Sequence, residues 1–81
     1  MDLVALTEYL VKSIATVPDM VSVKQFDGEE NTITIQVIVD EKDMGVVIGK
    51  GGATANAIRT LVQAAAYVNQ LGRVRVNIDT F

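Results

Sequence analysis

Apolar residues recur at helical spacing along the first part of the chain. Leu3, Leu6, Leu10, Ile14 and Val17 form one stripe, which Val4 and Val11 widen. The pattern predicts an amphipathic helix from Leu3 to about Thr16. Asp2 suits its N-cap, and Pro18 disfavours helical geometry in the residue before it. From Met20 to Phe26 the period falls to two, with Val21 and Val23 opposite Ser22 and Lys24, as in a strand. Asp27-Gly28-Glu29-Glu30-Asn31 has the chemistry of a hairpin turn. Thr32 to Val39 carries the clearest alternation, with Ile33, Ile35, Val37 and Val39 on one face. Asp40 then suits an N-cap, with Glu41 and Asp43 in the first turn of a short helix ending near Ile48 and burying Met44, Val47 and Ile48. Glycines at 49, 51 and 52 interrupt it. A longer helix follows from about Ala53 to Leu71, with Ile58, Leu61, Val62, Ala65 and Val68 or Asn69 on its apolar face and Gly72 as its cap. Arg73 to Asp79 alternates again, Val74, Val76 and Ile78 inward.

The order is helix, strand, strand, helix, helix, strand, an α+β arrangement. The first two strands are expected to form an antiparallel hairpin. Asp40 to Gly72 is long enough for a crossover that returns the last strand parallel to the second. Clean alternation in all three strands predicts a mixed three-stranded sheet with the three helices on one face. No repeat or linker divides residues 1–81, which are expected to form one domain.

Composition narrows the chemistry. The chain has 81 residues, no cysteine and no histidine. Disulfides and thiolate metal sites are excluded, as is the usual general base near neutral pH. No apolar run approaches a membrane span, and Met1-Asp2 opens no basic-then-apolar leader, so a cytoplasmic protein is expected. A net charge of −3 weighs against nucleic acid unless the cations gather on one face.

The most informative stretch is Val47-Ile48-Gly49-Lys50-Gly51-Gly52-Ala53-Thr54-Ala55. A tight glycine turn between two helices lets a ligand approach the backbone, and the following helix start offers free N–H groups to a phosphate. Lys50 adds a mobile cation. Apolar Val47, Ile48 and Ala55 can line a groove for splayed bases, with Ile38 or Val39 beside them, and Arg59 adds nearby charge.

In its element order, this GxxG turn after Val-Ile resembles that of a type II KH domain. Together with Asp43-Met44-Gly45 before it and Ile58-Arg59-Thr60-Leu61 after it, the chain resembles the KhpA family of small bacterial RNA-binding proteins over nearly its whole length. The resemblance implies a single-stranded RNA binder that acts as a post-transcriptional regulator or RNA chaperone, forms homodimers and pairs with a larger KhpB-like protein. The RNA-binding residues it points to are Gly49, Lys50, Gly51, Gly52, Val47, Ile48, Ala55 and Arg59. Members commonly carry Gln, Arg and Lys where this chain has Gly51, Ala53 and Asn56, so weak, salt-sensitive and weakly specific binding is expected.

Competing motifs fit less well. A nucleotide P-loop needs a hydroxyl after its lysine and one more residue between its glycines than Gly45 and Gly49 allow. A dinucleotide fingerprint lacks its third spacing. Gly45-x-x-x-Gly49 lacks the apolar span of a membrane dimer motif, so close helix–sheet packing is expected there instead. Glu29, Glu30, Asp40, Glu41 and Asp43 occupy ordinary solvated or capping positions, with no metal spacing. Arg73 and Arg75 are expected on a solvated edge, with auxiliary RNA contact as the alternative. Ala64-Ala65-Ala66 with Tyr67 and Val68 suggests a second apolar helix face for a homodimer. Four scattered aromatics make no stacking platform of the RRM kind. A binding protein without cofactor, not an enzyme, is expected. The alternative is a protein–protein adaptor on a KH scaffold with weakened RNA binding.

Overall fold

Asp2 starts the first helix by accepting a hydrogen bond from the Ala5 amide at 3.1 Å. In the computed structural model, which describes residues 2–28 and 30–81, this helix is α1 (Leu3–Lys12). It is followed by β1 (Ser22–Asp27), β2 (Thr32–Val39), α2 (Glu41–Ile48), α3 (Ala53–Val68) and β3 (Arg73–Thr80). The order and the α+β class are those expected of a type II KH fold.

The sheet runs β1-β2-β3. β1 lies antiparallel to β2, with Gln25 opposite Ile35. β3 lies parallel to β2, with Val76 opposite Ile35. The α2–α3 crossover makes that parallel return, as a connection of this length must. Ile35, Val37 and Val39 of β2 are fully buried, on the same side as Val74 and Val76 of β3. Leu3 and Val11 from α1, Val47 from α2, and Ile58, Val62 and Ala66 from α3 complete that core. Among the described residues, no buried side-chain nitrogen or oxygen lacks a hydrogen-bond partner. Thr7, fully buried in α1, bonds back to the Leu3 carbonyl at 2.7 Å.

Several boundaries shift. α1 ends at Lys12 rather than near Thr16. The chain is drawn off the helix path because the Thr16 and Val17 amides donate to the Asp43 carboxylate, each at 2.9 Å. Asp43 is thus fully buried, not an ordinary solvated helix-start acid. Pro18–Met20 forms a 3-10 turn, so β1 begins at Ser22. α3 ends at Val68, and Gln70, at φ +56°, takes the left-handed position expected of Gly72. The Leu71 amide closes that end on the Ala66 carbonyl at 2.9 Å. In the β1–β2 turn the Gly28 amide reaches the Thr32 carbonyl at 2.7 Å. Glu29, placed by the sequence in that turn, lies outside the described residues.

Two packing expectations also change. The buried ridge of α3 is Ala55, Ile58, Val62 and Ala66, while Leu61 and Val68 are 53% and 76% exposed. A Cβ at Gly45 would meet nothing within 4 Å, so that glycine serves no close helix–sheet contact. No helix among the described residues is long and apolar enough to cross a membrane.

Candidate nucleic-acid interface

The junction of α2 and α3 is built by three glycines in the left-handed half of conformational space. Gly49 has φ +78° and ψ 170°, Gly51 φ +63° and Gly52 φ +81°. Gly49 closes α2 by donating to the Gly45 carbonyl at 2.9 Å, and its own carbonyl receives the Gly52 amide at 3.1 Å. A Cβ on Gly49 would lie 2.7 Å from both the Cβ and the backbone nitrogen of Thr54. The first turn of α3 is therefore folded directly over Gly49, and only glycine fits. Gly51 has no neighbour within 4 Å of where a Cβ would stand, so the tip of the turn is open.

The helix starts differ in a way that matters electrostatically. Asp2 caps α1, and Asp40 caps α2 by accepting the Lys42 amide at 2.9 Å. At α3 the cap position is Gly52, which has no side chain to accept a bond, and the first turn of α3 carries no acid. The Lys50 carbonyl takes the Ala53 amide, but no side chain caps the longest helix and no carboxylate stands in its first turn, which favours an external anion. Lys50 stands exposed at the turn. Among the described residues the one ion pair joins Lys12 to Glu8 on α1, so Lys50 is not engaged in one.

The other expected site residues divide into two groups. Val47 and Ala55 are 0% and 1% exposed. They hold the turn from beneath and do not line a surface that a base could touch, because the inward faces of α2 and α3 converge on the core. Val39 is likewise core, and Ile38 alternates to the sheet face away from the helices. Ile48 is half-buried, the apolar member of the set that a ligand can reach.

Arg59 is anchored rather than free. Its Nε donates to the Val76 carbonyl at 3.1 Å, and a terminal nitrogen donates to Asn56 Oδ1 at 3.2 Å. A guanidinium has further donors, so the anchored group still presents a fixed positive charge beside the outer edge of β3. Asn56, which the sequence suggested only as a lost cation, is the acceptor that orients it. Four residues on, Gln63 Nε2 reaches the Val74 carbonyl at 3.4 Å. These two side chains cover carbonyls on the open edge of the sheet, a role that sequence periodicity alone does not reveal.

A family model described as KhpA/KhpB, KH domain matches residues 4–78. The RNA-binding protein KhpA of Clostridium acetobutylicum is 45% identical over 73 residues, which is 90% of this chain and 95% of that protein. Its namesake in Clostridium perfringens is 48% identical over 61 residues, 75% of this chain and 80% of that one. Among solved structures, Aquifex aeolicus Era bound to GDP and aluminium fluoride superposes with a TM-score of 0.70 at 19% identity. That match covers 98% of this chain and 30% of that one, a likeness of fold.

Proposed function

Because the chain belongs to the KhpA/KhpB family of KH domains, we propose that it binds single-stranded RNA, gripping the sugar-phosphate backbone at Gly49, Lys50, Gly51 and Gly52. The observation that carries this is the uncapped amide end of α3 beneath an open glycine turn, with Lys50 beside it. Ile48 offers an apolar contact to an unstacked base, Arg59 a fixed charge, and Val47 and Ala55 hold the turn in place. A KH clamp takes about four nucleotides of single strand. With Ala53 and Asn56 where relatives place cations, dissociation constants of about micromolar or weaker are expected at physiological salt. The protein would then act in the cytoplasm as a low-specificity post-transcriptional regulator or RNA chaperone.

The test is fluorescence anisotropy of a short single-stranded RNA at two salt concentrations, with the native chain and a Lys50→Asp/Gly51→Asp variant. Aspartate is one of the side chains that adopt the left-handed φ of Gly51 most readily and meets no neighbour there, so the variant reverses charge at a cost of about 1 kcal/mol. Native binding that weakens with salt and vanishes in the variant supports the clamp. Absence of native binding at low salt would replace it with the protein–protein adaptor.

A homodimer is proposed as part of the same function. Ala57, Leu61, Ala64 and Val68 form one exposed ridge of α3, opposite its buried face. Ala65 and Ala66 turn toward the core instead. Small residues on that ridge let a second copy, or the KH domain of a KhpB-type partner, approach closely, and pairing would raise RNA affinity through effective concentration. Light scattering at about 50 micromolar, ample for an ordinary weak dimer, should give a dimer mass for the native chain and a monomer mass for Leu61→Glu/Val68→Glu. A native monomer would remove the dimer from the proposal.

A further inference from the structure

At the end of the molecule where α3 hands over to β3, an open cleft of about 560 Å³ is lined by Glu30, Asn31, Tyr67, Gln70, Gly72 and Arg73. A second hollow of about 420 Å³ shares Tyr67, Gly72 and Arg73 with it and extends to Gln63 and Val74. Such volumes suit a flat heterocycle. The Tyr67 ring is 83% exposed and contributes nothing to the core. Gly72, at φ +94°, is held against Asn31, whose backbone fills the place a Cβ would take, so these two residues form a fixed wall of the cleft between Tyr67 and Arg73.

The helix α3 also joins the cleft to the glycine turn. On the helical period Asn56, Arg59, Gln63 and Tyr67 follow one another along the side of α3 that overhangs the free edge of β3. The bonds from Arg59 to Val76 and from Gln63 to Val74 fix that geometry. A strand leaving the turn along this seam passes the Arg59 charge and reaches Tyr67 after about 21 Å of helix. Arg59 and Gln63 lie on a different side of α3 from the Leu61–Val68 ridge, and Tyr67, three residues beyond Ala64, stands between the two sides.

We infer that the cleft of Tyr67, Gly72 and Arg73 is a second contact for the same RNA strand, in which Tyr67 stacks a nucleobase beyond those held at the turn and Arg73 meets its phosphate. This rests on the RNA-binding function proposed above. The chemistry favours a base within the cleft itself. The Glu30 carboxylate on its wall repels phosphate but accepts a hydrogen bond from a base amino group, and the Asn31 and Gln70 amides offer both donor and acceptor. Arg73 at the rim supplies the charge that a phosphate needs, in the bidentate form that suits it. A single aromatic is enough, because stacking on one ring adds measurable affinity for any base.

The experiment uses the full chain and two single-stranded RNAs, one of about four nucleotides and one of about eight. Native protein should bind the longer RNA more tightly. Tyr67→Ala should lose roughly tenfold in affinity for the longer RNA and leave the shorter unchanged, while Tyr67→Phe keeps the native value. The chain has two tyrosines and no tryptophan. In a Tyr9→Phe background the remaining emission reports Tyr67 alone, and it should be quenched by the longer RNA and not by the shorter. Tyr67→Ala binding the longer RNA within twofold of native, or losing both RNAs equally, overturns the second contact. In either case binding of the shorter RNA by native protein leaves the clamp standing. Failure of native protein to bind either RNA overturns both.

Discussion

Replacing Asp43 by alanine should lower the melting temperature by roughly 10 °C or more, although the residue lies at the start of a surface helix. Its carboxylate accepts three hydrogen bonds from a segment far away in sequence: the Thr16 hydroxyl at 2.6 Å, and the Thr16 and Val17 amides at 2.9 Å each. The side chain is fully buried. Removing it leaves two backbone donors and a hydroxyl without their charged acceptor on a connection that is only partly buried, so water replaces some of the three bonds and the rest is lost. Asparagine keeps the shape but turns an amide NH₂ toward a site made of donors, so Asp43→Asn should be destabilised almost as much. The same bonds pin the α1–β1 connection to the first turn of α2, the helix that ends at Gly49.

The pH dependence follows from those bonds. The Thr16 hydroxyl, then the Thr16 and Val17 amides, hold the Asp43 carboxyl below its ordinary value of 3.8, outweighing the opposing effect of burial. In the unfolded chain it takes up a proton near the ordinary value, and in the folded chain only at lower pH. Between the two, the unfolded state binds more protons, so stability rises with pH. The Asp43 contribution is complete above about pH 3.8 and is lost as pH falls through the lower folded value. Thermal melts of native and Asp43→Asn protein across that window should converge toward low pH. A constant gap between them would contradict the assignment, and a Tm difference of under about 3 °C at neutral pH would contradict the destabilisation.

Gly49→Ala should cost about 3 kcal/mol, a fall of roughly 15 °C in melting temperature. Two effects combine. The pair φ +78°, ψ 170° lies in a region that only glycine occupies readily. The added methyl would also stand 2.7 Å from Thr54 at the start of α3, and neither helix can retreat without opening the core beneath Val47 and Ala55. Gly51→Ala is the internal control, since its left-handed φ costs about 1 kcal/mol and its surroundings are empty. Calorimetry of the two variants separates the fold requirement from the ligand requirement. Equal Tm values for both would show that Thr54 does not press on Gly49 as described.

The element order, the N-caps and the glycine turn were legible because each is written locally. Apolar Ile33, Ile35, Val37 and Val39 recur at every second position of Thr32–Val39, which bounds the strand to the residue, as one buried face requires. Asp2 and Asp40 cap where their side chains can reach only the next few amides. Gly49, Lys50, Gly51 and Gly52 could be named because a run of glycines between two amphipathic patterns has few structural uses. Leu61 and Val68 were misplaced because a helix rich in alanine has no sharp polar face, and only packing shows which side turns inward. Asp43 was misread for a related reason: a helix-start acid is usually solvated, and nothing in the sequence says that Thr16 and Val17 will arrive beside it.

The amino-acid sequence by itself determined the order of helices and strands, the α+β class, the family and the place of the turn, since these depend on periodicity and on backbone preferences carried by neighbouring residues. Tertiary structure alone decided the rest. It placed Val47 and Ala55 under the turn rather than in its groove, tied Arg59 to the edge of β3 through Asn56 and Val76, and gathered Tyr67, Gly72 and Arg73 around one cleft. The physical reason is common to all three. Burial and hydrogen-bond partners are set by which surfaces meet when three helices cover one face of a twisted sheet, and those meetings join residues that no local pattern connects.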